Sequence, residues 1–273
     1  MLTTPTPYPE VNMVLTVLLS EVQAILGEQF IGFYLYGSLA YGGFDQDSDV
    51  DFVVVTRDEL PEILFSRLQA LHARIATLKS WCATQLEGSY IPMQALQLYD
   101  PVHALHLHID RGREERLQRM QLDDPNLRRA WWGGWVLLRA ALREKGLRLA
   151  GPALETLIDP VSPEDLRLAT LAILEGWAAP LLEHPAELAH CGYQSYTVLT
   201  LCRIIYTLEF GAIASKPVAA HWAQRSLGEP WTVLIERTWA GRHNPGEKAL
   251  PEDIDGTLAF IRFTLEYSKT LKR

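Results

Sequence analysis

Two aspartates alternate at the head of a run of β-branched residues in DVDFVVVT, residues 49 to 56, and a Gly37-Ser38 pair precedes them by ten intervening residues. Val and Thr at this density specify a strand. On a strand, side chains alternate between faces, so Asp49 and Asp51 project together while Val50 and Phe52 occupy the opposite side. Two carboxylates on one face repel unless protons or a cation neutralise them, and a hard divalent ion such as Mg²⁺ takes carboxylate oxygens by preference. Upstream, Gly37 lets backbone approach a ligand closely, and Ser38 opens a turn whose amide hydrogens can hold phosphate oxygens. The other reading of these aspartates is a solvated turn entering an edge strand. It leaves Asp51, inside the hydrophobic run, without a reason.

Around this feature the pattern is that of an α/β unit. Leu15, Leu18, Leu19, Val22, Ile25 and Leu26 recur at helical spacing and Gly27 is a stop, so a helix is predicted over 11 to 27. IGFYLYG reads as a buried strand, the Gly-rich stretch 37 to 48 as turn and loop, and Leu64, Leu68, Leu71, Ile75 and Leu78 as an amphipathic helix. WCATQLEGSYI, ended by Pro92, fits a third strand. Past YDPVHALHLHIDRG the periodicity becomes helical: Leu127, Trp131, Trp135, Leu138 and Leu142, then Val198, Leu201, Cys202, Ile205 and Leu208, then Ile254, Leu258, Ile261 and Leu265. Pro and Gly in LAGPALETLIDPVSPED mark a boundary near residue 155, with Ser162 as a helix cap and Pro163 at the first helical position.

Gly37-Ser38 followed by Asp49-x-Asp51 resembles the signature of the nucleotidyltransferase superfamily typified by DNA polymerase beta. The resemblance implies that the turn grips a triphosphate and that the aspartates bind two catalytic metals. A base is then needed to take the proton from an attacking hydroxyl. Glu87, in TQLEGSYI on the third expected strand, stands where the superfamily places its third acid; an exposed strand-end glutamate is the alternative. LYGSLAYGG, SDVDFVV and LEGSYI together resemble a narrower group, the aminoglycoside 3''/9 adenylyltransferases. So does YTVLTLCRIIYTLEFGAIASKPVAAHWA, residues 196 to 223, an apolar helix followed by a Gly turn, SK and an AAxW helix. The resemblance implies an α+β chain: a nucleotidyltransferase domain with a mixed sheet over 1–155, then an all-α helical bundle over 156–273 that completes an active-site cleft. It also implies that Lys216 supplies a point charge to the phosphates of ATP; a helix-start lysine before Pro217 is the plain reading. Arg203 is placed either toward that cleft or in packing.

The segments in which that family grips its acceptor diverge here. YDPVHALHLHIDRGREERLQR lacks the family's aromatic and acidic pattern, and GYQSY, residues 192 to 196, stands where acidic and histidine side chains are expected. Trp177 with Glu175 can stack on a sugar and pair with an ammonium group, or pack as an ordinary helix tryptophan. His103, His106 and His108 suggest zinc, yet only His106 and His108 share a strand face, and no cysteine or carboxylate is seen to complete the set. The tryptophans of RRAWWGGWV follow an apolar stripe. Arg237 and His243 in RTWAGRH resemble a nuclease motif of toxin–antitoxin partners only by chance.

A formal charge of −8 opposes a nonspecific polyanion binder and favours a cationic partner. Cys82, Cys191 and Cys202 form neither a disulfide framework nor a zinc motif. MLTTPTPYPE lacks the basic start of a secretory signal, and no unbroken apolar run approaches the ~18 to 20 residues of a membrane span. The expectation is a cytoplasmic monomer, without nucleic-acid or membrane partners, that uses ATP and two Mg²⁺ ions to transfer AMP to a hydroxyl of an aminocyclitol such as streptomycin or spectinomycin, with Glu87 as base. The alternatives are a nucleotidyltransferase with another acceptor (a protein, a tRNA or another small molecule) and a noncatalytic nucleotide-binding protein.

Overall fold

The computed structural model describes residues 5–98, 105–110, 117–120 and 128–271, with side chains from 133 onward in the last segment. Its chain divides into two compact units, 1–123 with 139–160, and 124–138 with 161–273.

The first unit begins with α1 (Pro9–Leu26), which starts on a proline and stops at Gly27, whose φ of 55° places it in the region that favours glycine. Then follow β1 (Phe30–Leu35), α2 (Gly37–Tyr41), β2 (Val50–Thr56), α3 (Glu62–Ile75), β3 (Leu86–Pro92), α4 (Met93–Gln97), β4 (His106–Ile109) and β5 (Leu117–Met120). α5 (Arg128–Lys145) leads to β6 (Leu147–Ala150). The strands form one sheet in the order β5-β4-β3-β2-β1-β6, parallel between β2 and β3 and antiparallel at the other pairings.

β2 runs between two partners, which is where a valine-rich strand belongs. Val50, Phe52 and Val54 join Phe33 and Leu35 of β1 in a core with Val14, Leu15, Leu18 and Val22 of α1 and Leu68, Leu71 and Ile75 of α3. Each such leucine contributes about 1.5–3 kcal/mol by leaving water. α1 with the turn after it, Pro9–Gln29, is one stretch long and apolar enough to cross a bilayer. Its apolar side instead packs into this core, and Asn12, Thr16, Ser20 and Glu21 interrupt the apolar run along its length. Within the core His72 is buried, its Nε2 2.8 Å from the Tyr90 hydroxyl, and desolvation pulls its pKa down to about 4.

Some local expectations are corrected. Gly37-Ser38 opens a short helix, α2, rather than a loop, and Trp81–Thr84 is a 3-10 turn, so the third strand begins only at Leu86. β5 and β6 carry no expectation at all: four residues are too few to establish a period of two, and only pairing to β4 and β1 makes them strands. Leu127 and His103 lie outside the described residues, as do the side chains of Trp131 and Trp132.

The second unit is helical: α6 (Pro163–Ile173), α7 (Cys191–Phe210), α8 (Lys216–Leu227), α9 (Trp231–Gly241) and α10 (Pro251–Thr270). α6 opens as its sequence predicts, with the Ser162 hydroxyl accepting from the Asp165 amide and the Asp165 carboxylate accepting from Ser162. α7 is the central helix. Val198, Leu201, Cys202, Ile205 and Leu208 are buried on it against Ala219 and Ala223 of α8, Ile235 of α9 and Phe260 and Ile261 of α10.

Candidate active site

The carboxylates of the first unit are brought together by strand register. Asp51 of β2 pairs directly with Glu87 of β3, and the antiparallel pairing of β1 with β2, which sets Leu35 against Phe52, carries on to Tyr36, whose amide donates to the Asp51 carbonyl at 3.2 Å. Asp49 precedes β2 by one residue. Val50 and Phe52 are buried in the core, so the aspartates stand on the side away from α1 and α3, half-buried, with Glu87 beside them.

The proximity of all three acids is written into one neighbouring phenol. The Tyr36 pKa is pushed well above its ordinary value by burial first, then by the negative charges of Asp51, Glu87 and Asp49 in that order. Its hydroxyl therefore keeps its proton at neutral pH.

Gly37 is required here on two counts. Its φ of 62° is left-handed, and a Cβ on it would lie 1.8 Å from Asp51 Oδ2. The Asp51 carboxylate thus rests against bare backbone at the head of α2. Next to it, the Ser38 hydroxyl oxygen is buried with no hydrogen-bond partner, a state that costs about 1–3 kcal/mol unless a ligand or water supplies the bond. A cradle without a side chain, an unsatisfied hydroxyl and crowded carboxylates fit a metal-bound phosphate group. Asp49, Asp51 and Glu87 would hold the metal; Gly37 and Ser38 would face the phosphates.

Across β3 the row continues. Gly88 pairs with Ile109 and Ser89 with His108, which puts Asp110 in step with Glu87. One donor atom from each of Glu87, His108 and Asp110 lies within 4.8 Å of the others. The sequence reading that no carboxylate accompanies the histidines is thereby corrected: Glu87 arrives from another strand, and Asp110 follows β4 directly. The alternation in LHLHID was the available signal, but the register of β4 against β3 was not.

In the second unit, Lys216 begins α8, and its ammonium sits 5.8 Å from the centre of the Tyr196 ring. Trp177 lies in a π-helical turn, Leu174–Ala178, donates from Nε1 to the Tyr193 hydroxyl at 3.1 Å, and meets Tyr196 edge-on at 5.5 Å; Glu175 in the same turn is exposed. Of GYQSY, Tyr193 and Tyr196 join this aromatic group, whereas Gln194 and Ser195 are buried and bonded to α9 and α10. Arg203 donates from Nε to the Ala214 carbonyl, which ties α7 to the turn before α8. Arg237 is held by Glu252 and Asp253 in ion pairs of 3.2 and 3.1 Å.

Residues 18–102 match the family model of the nucleotidyltransferase domain, and residues 156–266 that of the aminoglycoside adenylyltransferase C-terminal domain. A spectinomycin 9-adenylyltransferase of Staphylococcus aureus is 27% identical over 262 residues, covering 92% of this chain and 93% of that protein. An aminoglycoside (3'') (9) adenylyltransferase of Shigella flexneri is 28% identical over 237 residues, covering 83% of each chain. The fold is that of the spectinomycin adenyltransferase AAD(9) from Enterococcus faecialis, whose crystal structure was determined with ATP and spectinomycin: the TM-score is 0.62 at 18% identity, covering 94% of this chain and 98% of that one.

Proposed function

We propose that this chain, which belongs with the nucleotidyltransferases of the aminoglycoside adenylyltransferase kind, moves AMP from ATP to a hydroxyl of an aminocyclitol antibiotic such as spectinomycin or streptomycin, in the cytoplasm. The observation that carries the reading is the lateral pairing of Asp51 with Glu87 beside the Gly37-Ser38 cradle. That arrangement concentrates negative charge where a polyphosphate with its counter-ions is stabilised, and it sets one carboxylate next to where an acceptor hydroxyl would meet the α-phosphorus.

In the proposed reaction the Glu87 carboxylate takes the proton of the acceptor hydroxyl. The oxygen attacks the α-phosphorus in line, the bond to the β-phosphate oxygen breaks, and pyrophosphate leaves. Asp49, Asp51 and Glu87 would hold divalent metal, which would supply charge neutralisation for the phosphates. Tyr36, kept protonated, presents a neutral hydrogen-bond donor among the three acids and adds no further negative charge. Lys216 is assigned to the triphosphate on the strength of the family likeness, and Trp177 with Glu175 to the acceptor because an indole face stacks on a sugar and a carboxylate pairs with an ammonium group. An acidic protein of −8 suits an acceptor carrying ammonium or guanidinium groups.

The test is calorimetric titration with ATP and Mg²⁺, then with spectinomycin, streptomycin and other aminocyclitols, followed by mass spectrometry of the acceptor. An AMP adduct with release of pyrophosphate is expected. ATP binding without an adduct on any aminocyclitol would move the acceptor to another class; no ATP binding would sink the reading.

A further inference from the structure

Asp110 and Glu87 stand in step across an antiparallel pair, and like charges in that position destabilise a sheet. His108 lies between the causes of that strain and its relief. Its Nδ1 is 2.8 Å from the Ser89 hydroxyl, and its Nε2 is 3.0 Å from Asp110 Oδ1. Ser89 is only 5% exposed, so the ring is anchored from within the sheet. When Nδ1 carries the hydrogen and donates to Ser89, Nε2 turns a lone pair toward the Asp110 carboxylate, and two such groups 3.0 Å apart need a cation between them. Two metal–ligand bonds of about 2.1 Å meeting at a tetrahedral angle separate their donors by about 3.4 Å, so a widening of the 3.0 Å pair by a few tenths of an ångström admits the ion.

We propose that Glu87, His108 and Asp110 form a transition-metal site, sharing Glu87 with the Asp49/Asp51 site but otherwise built at β4, that takes Zn²⁺ or a close relative. Imidazole in the donor set selects Zn²⁺ or Co²⁺ over Mg²⁺, which prefers oxygen and water. Ser89 plays the part of the outer partner that fixes the tautomer of a ligating histidine. The three donors lie within 4.8 Å of one another and two such bonds span at most ~4.2 Å, so a change of Glu87 side-chain torsion brings its oxygen onto an ion shared with His108 and Asp110. Given the adenylyl-transfer reading, occupation of this site removes Glu87 from proton transfer, so the ion acts as an inhibitor.

The experiment is Co²⁺ and Zn²⁺ binding to the metal-free full chain, without nucleotide or acceptor and with Mg²⁺ in large excess. One equivalent is expected to bind, with the visible Co²⁺ spectrum of a low-coordinate nitrogen/oxygen site. His108→Ala and Asp110→Asn should each weaken binding at least tenfold, and Ser89→Ala about tenfold, while Asp49→Ala should bind as the unaltered protein does. Far-UV circular dichroism checks that the variants are folded. Absence of binding in the unaltered protein, survival of binding in folded His108→Ala, or its loss in folded Asp49→Ala would each overturn the proposal. Because the readout uses no substrate, it stands or falls apart from the transfer assay. In that assay, Zn²⁺ should inhibit in the micromolar range, and His108→Ala should need at least tenfold more; equal sensitivity would overturn the inhibitory role.

Discussion

One polar cluster in each unit shows opposite ways of handling inward polar groups, although each unit also keeps single buried hydroxyls without a partner, Ser38 in the first and Thr170, Thr200 and Ser215 in the second. In the helical unit, Gln194 is buried with its amide donating to the hydroxyls of Thr238 and Thr257, and Ser195 donates to the Thr238 carbonyl. These groups are satisfied within the protein and hold α7, α9 and α10 together. In the sheet unit, three acids crowd around Tyr36, and the Ser38 hydroxyl is buried without a bond. Polarity completed internally is architecture; polarity left incomplete at a strand end, against a glycine that admits no side chain, points outward to a ligand.

The contrast is broken most directly at Glu87. Glu87→Gln should lower adenylyl transfer by about 10²–10⁴-fold with ATP affinity unchanged within about threefold, read by pyrophosphate release and calorimetry. Unaltered turnover would place the acid of the sheet unit among the structural polar groups.

The buried His72 sharpens the comparison from within the sheet unit: its Nε2 meets the Tyr90 hydroxyl, while its Nδ1 is buried inside the core without a hydrogen-bond partner. The fold favours its neutral ring, so its contribution to stability is whole above about pH 6.5 and is lost as the pH falls toward 4, up to about 3 kcal/mol. His72→Gln, which keeps a partner for Tyr90 but does not titrate, should lose less stability than the unaltered protein between pH 7 and 4.5 in urea unfolding.

Gly37→Ala should combine both kinds of effect. The left-handed backbone costs about 1–2 kcal/mol, and displacing the Asp51 carboxylate should reduce transfer about 10²-fold. A variant as active as the parent would show that the cradle tolerates a side chain.

The smallest effect is expected in the helical unit. Gln194→Leu should cost about 1–3 kcal/mol of stability, by leaving two threonine hydroxyls without their donor, and should leave kcat unchanged wherever the protein is folded. A fall in kcat at unchanged stability would make Gln194 part of the acceptor site.

Most of the element order was legible from residues alone: periodicity in α1, α3, α7 and α10, β-branched density in β2, and the Ser162-Pro163 start of α6. So was the common face of Asp49 and Asp51, because a spacing of two on a strand is a local fact, whereas the helical start at Gly37-Ser38 was not. The alternation of His106 and His108 marked a strand face at β4 but not its register against β3, and β5 and β6 were not read as strands because four residues carry too little pattern and their state depends on a partner edge. Gln194 and Ser195 could not be told from ligand-facing residues, since sequence shows polarity but not where its hydrogen bonds end.

By itself, the sequence determined which residues lie on one face of each element, hence the paired aspartates and the amphipathic helices, because backbone periods of 2 and 3.6 follow from the geometry of a single chain. Only the tertiary structure decided that Tyr36, Asp51, Glu87 and Asp110 form one row across four neighbouring chain segments, and that His108 stands beside it. Register between strands depends on hydrogen bonds and packing between segments far apart in the chain, and a slip of one residue would turn those same side chains to the other face.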